Sequence, residues 1–203
     1  MTAILKVDTI QDTSGNNIIN ESSDTITIGA SGDTTNIVGT LQNNGSALIS
    51  GITEADGYRL TANLSSDADP ISSNLERIDD DTFSKIGTGV TNTSGTFSFP
   101  STGLYLVMAE AVMSRDATND NLMDLQIKTT PDNSTYTTRA VIRCSVTTAP
   151  TTQTGFTQTF VNVTDTSNVK VRFAFSSSNS NALIGDTDST RTGWWFIRLG
   201  DSQ

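Results

Sequence analysis

The chain has 203 residues, a formal net charge of -10, a single cysteine and no histidine. That charge is the wrong sign for gripping nucleic-acid phosphates, which takes clustered Lys and Arg. One cysteine leaves no disulfide framework, and hydrolytic triads and zinc sites ordinarily draw on histidine. Hydrophobic residues make up only 34%. Ser, Thr, Asn, Asp and Gly fill the gap, and they favour turns and edges over helix interiors. No stretch keeps apolar residues at helical spacing over three turns, so the chain reads as all-β. The opening MTAILKVDTIQD has no apolar core of signal-peptide length, and no run approaches the length of a membrane span. The expectation is a protein made in a cytoplasm, with no membrane insertion and no nucleic-acid partner.

Residues 1–52 form a thin repetitive segment. Short apolar groups recur about every ten residues: Ile4, Val7 and Ile10; Ile18 and Ile19; Ile26 and Ile28; Ile37 and Val38; Leu48, Ile49 and Ile52. SGNN, ASGDTTN and QNNGSA between them are turn signals. The apolar content is too small for an independent core. Either the segment is disordered, or it wraps with copies of itself or with a docking partner. The Ile-x-Ile alternation favours wrapping and makes Ile4, Val7, Ile10, Ile18, Ile26 and Ile28 the candidate anchoring residues. Residues 53–203 then form the second domain.

Residues 53–94 are a transition, with strands expected around Tyr58–Asn63 and Phe83–Ile86 and a loop or hairpin tip over 87–95. Residues 95–113 read as a strand, a Pro-Ser-Thr-Gly turn and a second, more apolar strand. One parity of that second strand carries Leu104, Leu106, Met108, Glu110 and Val112. The other carries Tyr105, Val107, Ala109, Ala111 and Met113. Both faces are nearly all apolar, so both call for burial. A two-sheet sandwich hides only one face of each sheet. The second face needs another layer, and in so polar a chain another copy of the chain can supply it. Glu110 is the one charge in the run, with no evident partner.

Further on, alternation predicts strands over 122–128, 139–146, 156–164, 169–175 and 193–200. Met123, Leu125, Ile127, Ala140, Ile142, Cys144 and Val146 point inward, and residues 147–155 form a loop broken at Pro150. Many short strands with turn-rich links mean a sandwich or barrel. Adjacent Trp194 and Trp195 point to opposite faces. One belongs in the core and the other at a subunit interface or a surface groove, with packing favoured over a sugar-stacking platform.

Acidic residues are the remaining source of chemistry: Glu76 with Asp79, Asp80 and Asp81; Asp116 and Asp120; Asp186 and Asp188. None has the spacing of a calcium loop or a glycosidase pair, and they read as solvated loop carboxylates. Cys144, in an alternating apolar run with no activating base in view, reads as a buried structural thiol. No catalytic residue, metal or cofactor is expected.

Two resemblances add to this reading. ILKVDTIQDTSGNNIINESSDTITIGASGDT is similar to the N-terminal regions of fibre and other virion proteins of tailed phages, which implies a trimer mounted on a particle. FSKIG at 83–87, G-x-F-x-x-P-x-x-G-x-Y-L at 95–106, VKVRFAF at 169–175 and the closing GWWFIRL resemble the jelly-roll heads of tumour necrosis factors and complement-type proteins. This second likeness implies a ten-stranded jelly-roll sandwich assembled as a homotrimer, with the inner sheets around a threefold axis. It also implies that Tyr105 packs near that axis. Val107, Ala109 and Ala111 would share its face, with Trp195 at the interface and the Leu106 and Met108 parity in the core. The expected function is a non-enzymatic capsid decoration (cement) spike on a virion, anchored by its N-terminus to other virion proteins. The alternative is a short tail fibre or receptor-binding tip that attaches to a host-surface glycan or protein.

Overall fold

The computed structural model describes residues 9–11, 13–15, 17–22, 25–28, 32–38, 41–43, 46–47, 51–115, 122–145, 151–177 and 182–203. The chain divides into two compact units, Met1–Ser50 and Gly51–Gln203. The described secondary structure is all β.

In the first unit β1 (Thr9–Gln11), β2 (Asn17–Ser22) and β3 (Thr25–Ile28) form an antiparallel sheet, and β4 (Gln42–Asn43) pairs with β5 (Ser46–Ala47). The register lines up the isoleucines, pairing Ile10 with Ile19 and Ile19 with Ile28. The row stays open to solvent, with Ile19 at 38% and Ile28 at 56% exposure; Ile26 is also exposed. Ile18 is passed over where Ile10 pairs with Ile19 and Gln11 with Asn17. Ile4 and Val7 lie outside the described residues.

The second unit holds β6 (Ala55–Leu60), β7 (Leu75–Arg77), β8 (Thr91–Thr93), β9 (Thr96–Ser98), β10 (Gly103–Arg115), β11 (Met123–Thr130), β12 (Thr137–Cys144), β13 (Thr151–Val163), β14 (Lys170–Ser177), β15 (Ala182–Leu183) and β16 (Gly193–Gly200). One sheet runs β13-β10-β16-β6-β7, with β15 pairing the far end of β10; the other runs β12-β11-β14-β9-β8. The two sheets enclose a single apolar core. At its centre Trp194 stacks on Phe173 at 4.5 Å, while Phe97 meets Tyr58, Phe173 and Phe196. Met123, Leu125, Ile127, Ile142, Cys144, Val171, Phe173 and Phe175 are buried as alternation predicts. Val146 is outside the described residues.

Several local expectations are corrected. Residues 151–155 are strand, not loop: β13 begins immediately after Pro150 and pairs along the whole of β10, from Arg115↔Thr151 to Gly103↔Val163. The long partner templates a stretch whose own sequence has turn-like composition. Phe83–Ile86 makes only an isolated bridge, Ala55↔Ile86. The strand of that region is β7, which ends at Arg77, before the expected stretch, and pairs with β6. The 87–95 stretch ends in a hairpin tip as expected but also contains β8, and the β8–β9 hairpin turns through Ser94 (φ 49°) and Gly95 (φ 84°). This is the left-handed pair that a two-residue hairpin demands.

The largest correction concerns the faces of β10. Tyr105, Val107, Ala109 and Ala111 are at most 1% exposed and lie inside the sandwich of a single chain. They have no surface left to offer a partner, so the expectation that they form a subunit interface is overturned. The Tyr105 ring packs tilted against Phe99 with centroids 4.5 Å apart, and its hydroxyl donates to the Ser101 carbonyl at 3.1 Å. That contact turns the ring inward and ties the loop before β10 to the core. Leu104, Leu106, Met108, Glu110 and Val112 face outward and are half-buried.

Candidate assembly interface

The outward face of the β13-β10-β16-β6 sheet is built in cross-strand rows. Phe160, Leu106, Ile197 and Ala55 form one row; Gln158, Met108, Trp195 and Gly57 the next; Phe156, Glu110, Gly193 and Arg59 the third. Cross-strand neighbours on one face contact each other, so each row is a packing unit. Phe156 and Phe160 are 58% and 63% exposed, and Leu199 on β16 is also exposed. Trp195 stands on this face, half-buried, while Trp194 is fully buried in the core. Gly57 makes room for it: a Cβ there would sit 3.0 Å from Trp195 Cδ1 and 2.9 Å from Ile78 Cδ1. The indole and Ile78 therefore lie down against the sheet over a residue without a side chain.

The opposite sheet is different outside. Its outward rows carry Asp124 with Arg143, and Lys128 with Thr138 and Arg172. Arg143 donates to both Asp124 oxygens at 2.8 and 2.7 Å. Asp69 takes the Lys128 ammonium and lies 2.8 Å from Arg172 Nε, while the Arg172 guanidinium covers the Tyr136 ring at 4.0 Å. One face is thus finished for water and the other is not. The edge strand β13 shares the unfinished side. Its thirteen residues contain no proline and no charge, the devices that ordinarily protect an exposed edge.

At its β6–β7 end the apolar face stops at an ion cluster. Arg59 is 2% exposed and donates to Glu76, Asp79 and Asp80 at 2.7, 2.6 and 2.9 Å. These carboxylates, expected to be free in solvent, hold one guanidinium, and the Arg59 pKa is raised, with the Asp80 hydrogen bond as the leading cause. Beneath them Asp56, 3% exposed, takes Arg77 and the Gly57 and Val90 N–H groups. Asp186 accepts the N–H groups of Asp188 and Ser189 and pairs with Arg191. Asp116 and Asp120 lie outside the described residues. Cys144 is buried with its thiol pushed up by desolvation and then by Asp124, so it stays protonated and unreactive at neutral pH.

Glu110 sits within the apolar face. It lines a shallow cleft of about 420 Å³ with Val112, Thr154, Phe156, Thr190 and Arg191. Burial raises its carboxyl above the ordinary value, with no compensating charge.

The strand order and packing decide the fold. Unit two is a jelly roll of the tumour-necrosis-factor type. Tumour necrosis factor Eiger of S. frugiperda superposes with a TM-score of 0.54 at 15% identity, over 73% of this chain and 94% of that one. Murine APRIL superposes at 0.52 and 10% identity, over 72% and 98%. The vertex protein P5 of PRD1 reaches 0.47 at 14% identity, over 74% and 100%. At such identities the likeness concerns the fold alone. No family profile matches the chain, and no curated protein matches it.

Sequence reasoning reached Trp195 as an outward tryptophan but missed Phe156, Phe160, Met108 and Ile197 as its company. The signal available was the exposed parity of β13, where two phenylalanines interrupt a run of Thr and Gln.

Proposed function

We propose that this chain is a non-enzymatic structural protein of a tailed-phage virion: a homotrimeric capsid decoration spike, mounted by its N-terminal unit and presenting the jelly roll outward. One observation carries the assembly, the apolar outward face of β13, β10 and β16. A contiguous patch with two exposed phenylalanines and a tryptophan is costly to leave in water. Closed symmetry lets copies of the same patch cover one another. The placement on a phage particle is supported by the resemblance of residues 4–34 to virion proteins. The exposed isoleucine row of the first unit supports a mounting role, because a thin sheet with an open apolar face is stabilised by docking.

Light scattering at micromolar concentration is expected to give three times the 21.6 kDa subunit mass. A monomer would overturn the assembly. Counting the protein on purified particles tests the placement: roughly hundreds of symmetry-related copies fit decoration of the capsid. A few tens or fewer, with binding of the isolated protein to host cells, would move it to a fibre tip.

A further inference from the structure

Glu110 is the one charge on the outward side of β10, and it is placed where the proposed trimer closes. Met108 and Val112 flank it along its own strand. β13 presents Thr154, Phe156 and Gln158 to it, and β16 presents Gly193 and Trp195. Across the cleft stand Thr190 and Arg191. Of all these groups only Arg191 is charged, and its Nε is occupied by Asp186 at 3.1 Å. Beyond Gly193 the next strand presents Arg59, which is held by Glu76, Asp79 and Asp80. Among the described residues the Glu110 carboxylate has neither a hydrogen bond nor an ion pair. Glu76, Asp79 and Asp80 are matched to Arg59 and Asp186 to Arg191; Glu110 is matched to neither.

We infer that closure of the trimer is linked to proton uptake by Glu110, so that acid tightens the assembly and alkali loosens it. The inference rests on the trimeric reading of this face. A carboxylate taken from water into an apolar contact without a partner costs far more than a carboxylic acid does. Half-burial in one subunit already raises the carboxyl's hold on a proton, and covering the face removes the remaining water. The carboxyl therefore binds its proton more strongly in the trimer than in the free subunit. The sign follows: the added stability is fully present below the free subunit's pKa and is lost as pH rises through the higher value in the trimer. Each pKa unit added by closure is worth tenfold per carboxyl, about a thousand-fold in the association constant for three. A net charge of -10 per chain also repels at alkaline pH, so the test must separate Glu110 from the general field.

The full-length wild type and Glu110→Gln, with Glu110→Met as a second variant, are to be compared at about pH 5 and pH 8. Salt of about 0.5 M cuts the screening length to a few ångströms. The readout is the urea concentration that half-dissociates the trimer, followed by sedimentation, with circular dichroism to confirm folding. Wild type is expected to dissociate at clearly lower urea at pH 8 than at pH 5. Both variants are expected to lose most of that difference and to match the acid form of the wild type. A pH response of equal size in wild type and variants overturns the inference while leaving the trimer intact. So does a trimer that loosens in acid, because that result puts a partner's cation against Glu110. A protein that is monomeric at both pH values fails the assembly reading itself, and the inference with it.

Discussion

Gly155 shows how closely the two sheets approach at their β12–β13 edge. It occupies an inward position of β13 opposite Ala111, and a Cβ there would fall 2.1 Å from Ile142 Cγ2. That methyl belongs to the branch point of a buried side chain, so it cannot swing clear as the end of a flexible chain would. Gly155→Ala is expected to push β13 away from β12 and to cost about 1–3 kcal/mol, the usual range for overpacking. Urea unfolding followed by tryptophan fluorescence measures it. An unchanged midpoint would mean that the two edges have slack. Asp56 is the polar counterpart of this tight fit. One buried carboxylate gathers Arg77 and two backbone N–H groups and so pins the 87–90 loop to β6. Neither role is legible from sequence. A glycine in TTQTG reads as a turn, and an aspartate beside a glycine reads as surface, because the neighbours that fix both lie far along the chain.

At the scale of one strand, β10 separates what a sequence can say from what it cannot. Alternation located the strand and showed that both faces call for burial; in the single chain one parity is buried and the other is half-buried. It could not say which face meets the core, since each parity is apolar and the pattern is symmetric. The decision is made by the opposing sheet, whose Phe97 and Phe173 belong to the same apolar core as Val107 and Ala109, and by the Tyr105–Ser101 contact at the strand's entrance. β7 was missed for a related reason. Leu75-Glu76-Arg77 has one apolar residue, and its place in the sheet is fixed by cross-strand pairing with β6, where Glu76 meets Arg59 and Arg77 reaches Asp56. The two faces of β10 give a paired prediction. Val107→Asp buries an unpaired charge in the core and is expected to abolish folding, seen as insoluble expression or loss of cooperative melting. Met108→Asp, beside Trp195 on the outward face, is expected to leave a folded subunit with its melting cooperativity intact and to shift it to monomer in sedimentation. The reverse pattern would restore the inward role to the Met108 face.

Over the whole molecule, each unit leaves an apolar surface open, and the two surfaces differ in kind. In the second unit it is a broad sheet face with aromatic residues, suited to a contact between large rigid bodies. Among the described residues of the first it includes a cross-strand row, Ile10, Ile19 and Ile28. A three-stranded sheet of this size buries too little to hold itself together in water, so its stability and its docking belong to one event. Ile19 is the middle of the row and touches both neighbours, which makes it the informative position. Ile19→Asp puts a charge between two isoleucines and removes the contact on which the row depends. In the proposed reading, this variant keeps the trimer, because the second unit's face is untouched, but its copy number on particles assembled with it falls at least about tenfold, more than 1.4 kcal/mol of lost docking. Quantitative gel analysis of purified particles against wild type measures the loss. Normal loading with Ile19→Asp would show that the mount lies elsewhere in the chain, and a variant that loaded poorly because it had become monomeric would show that the first unit drives trimerisation as well as docking.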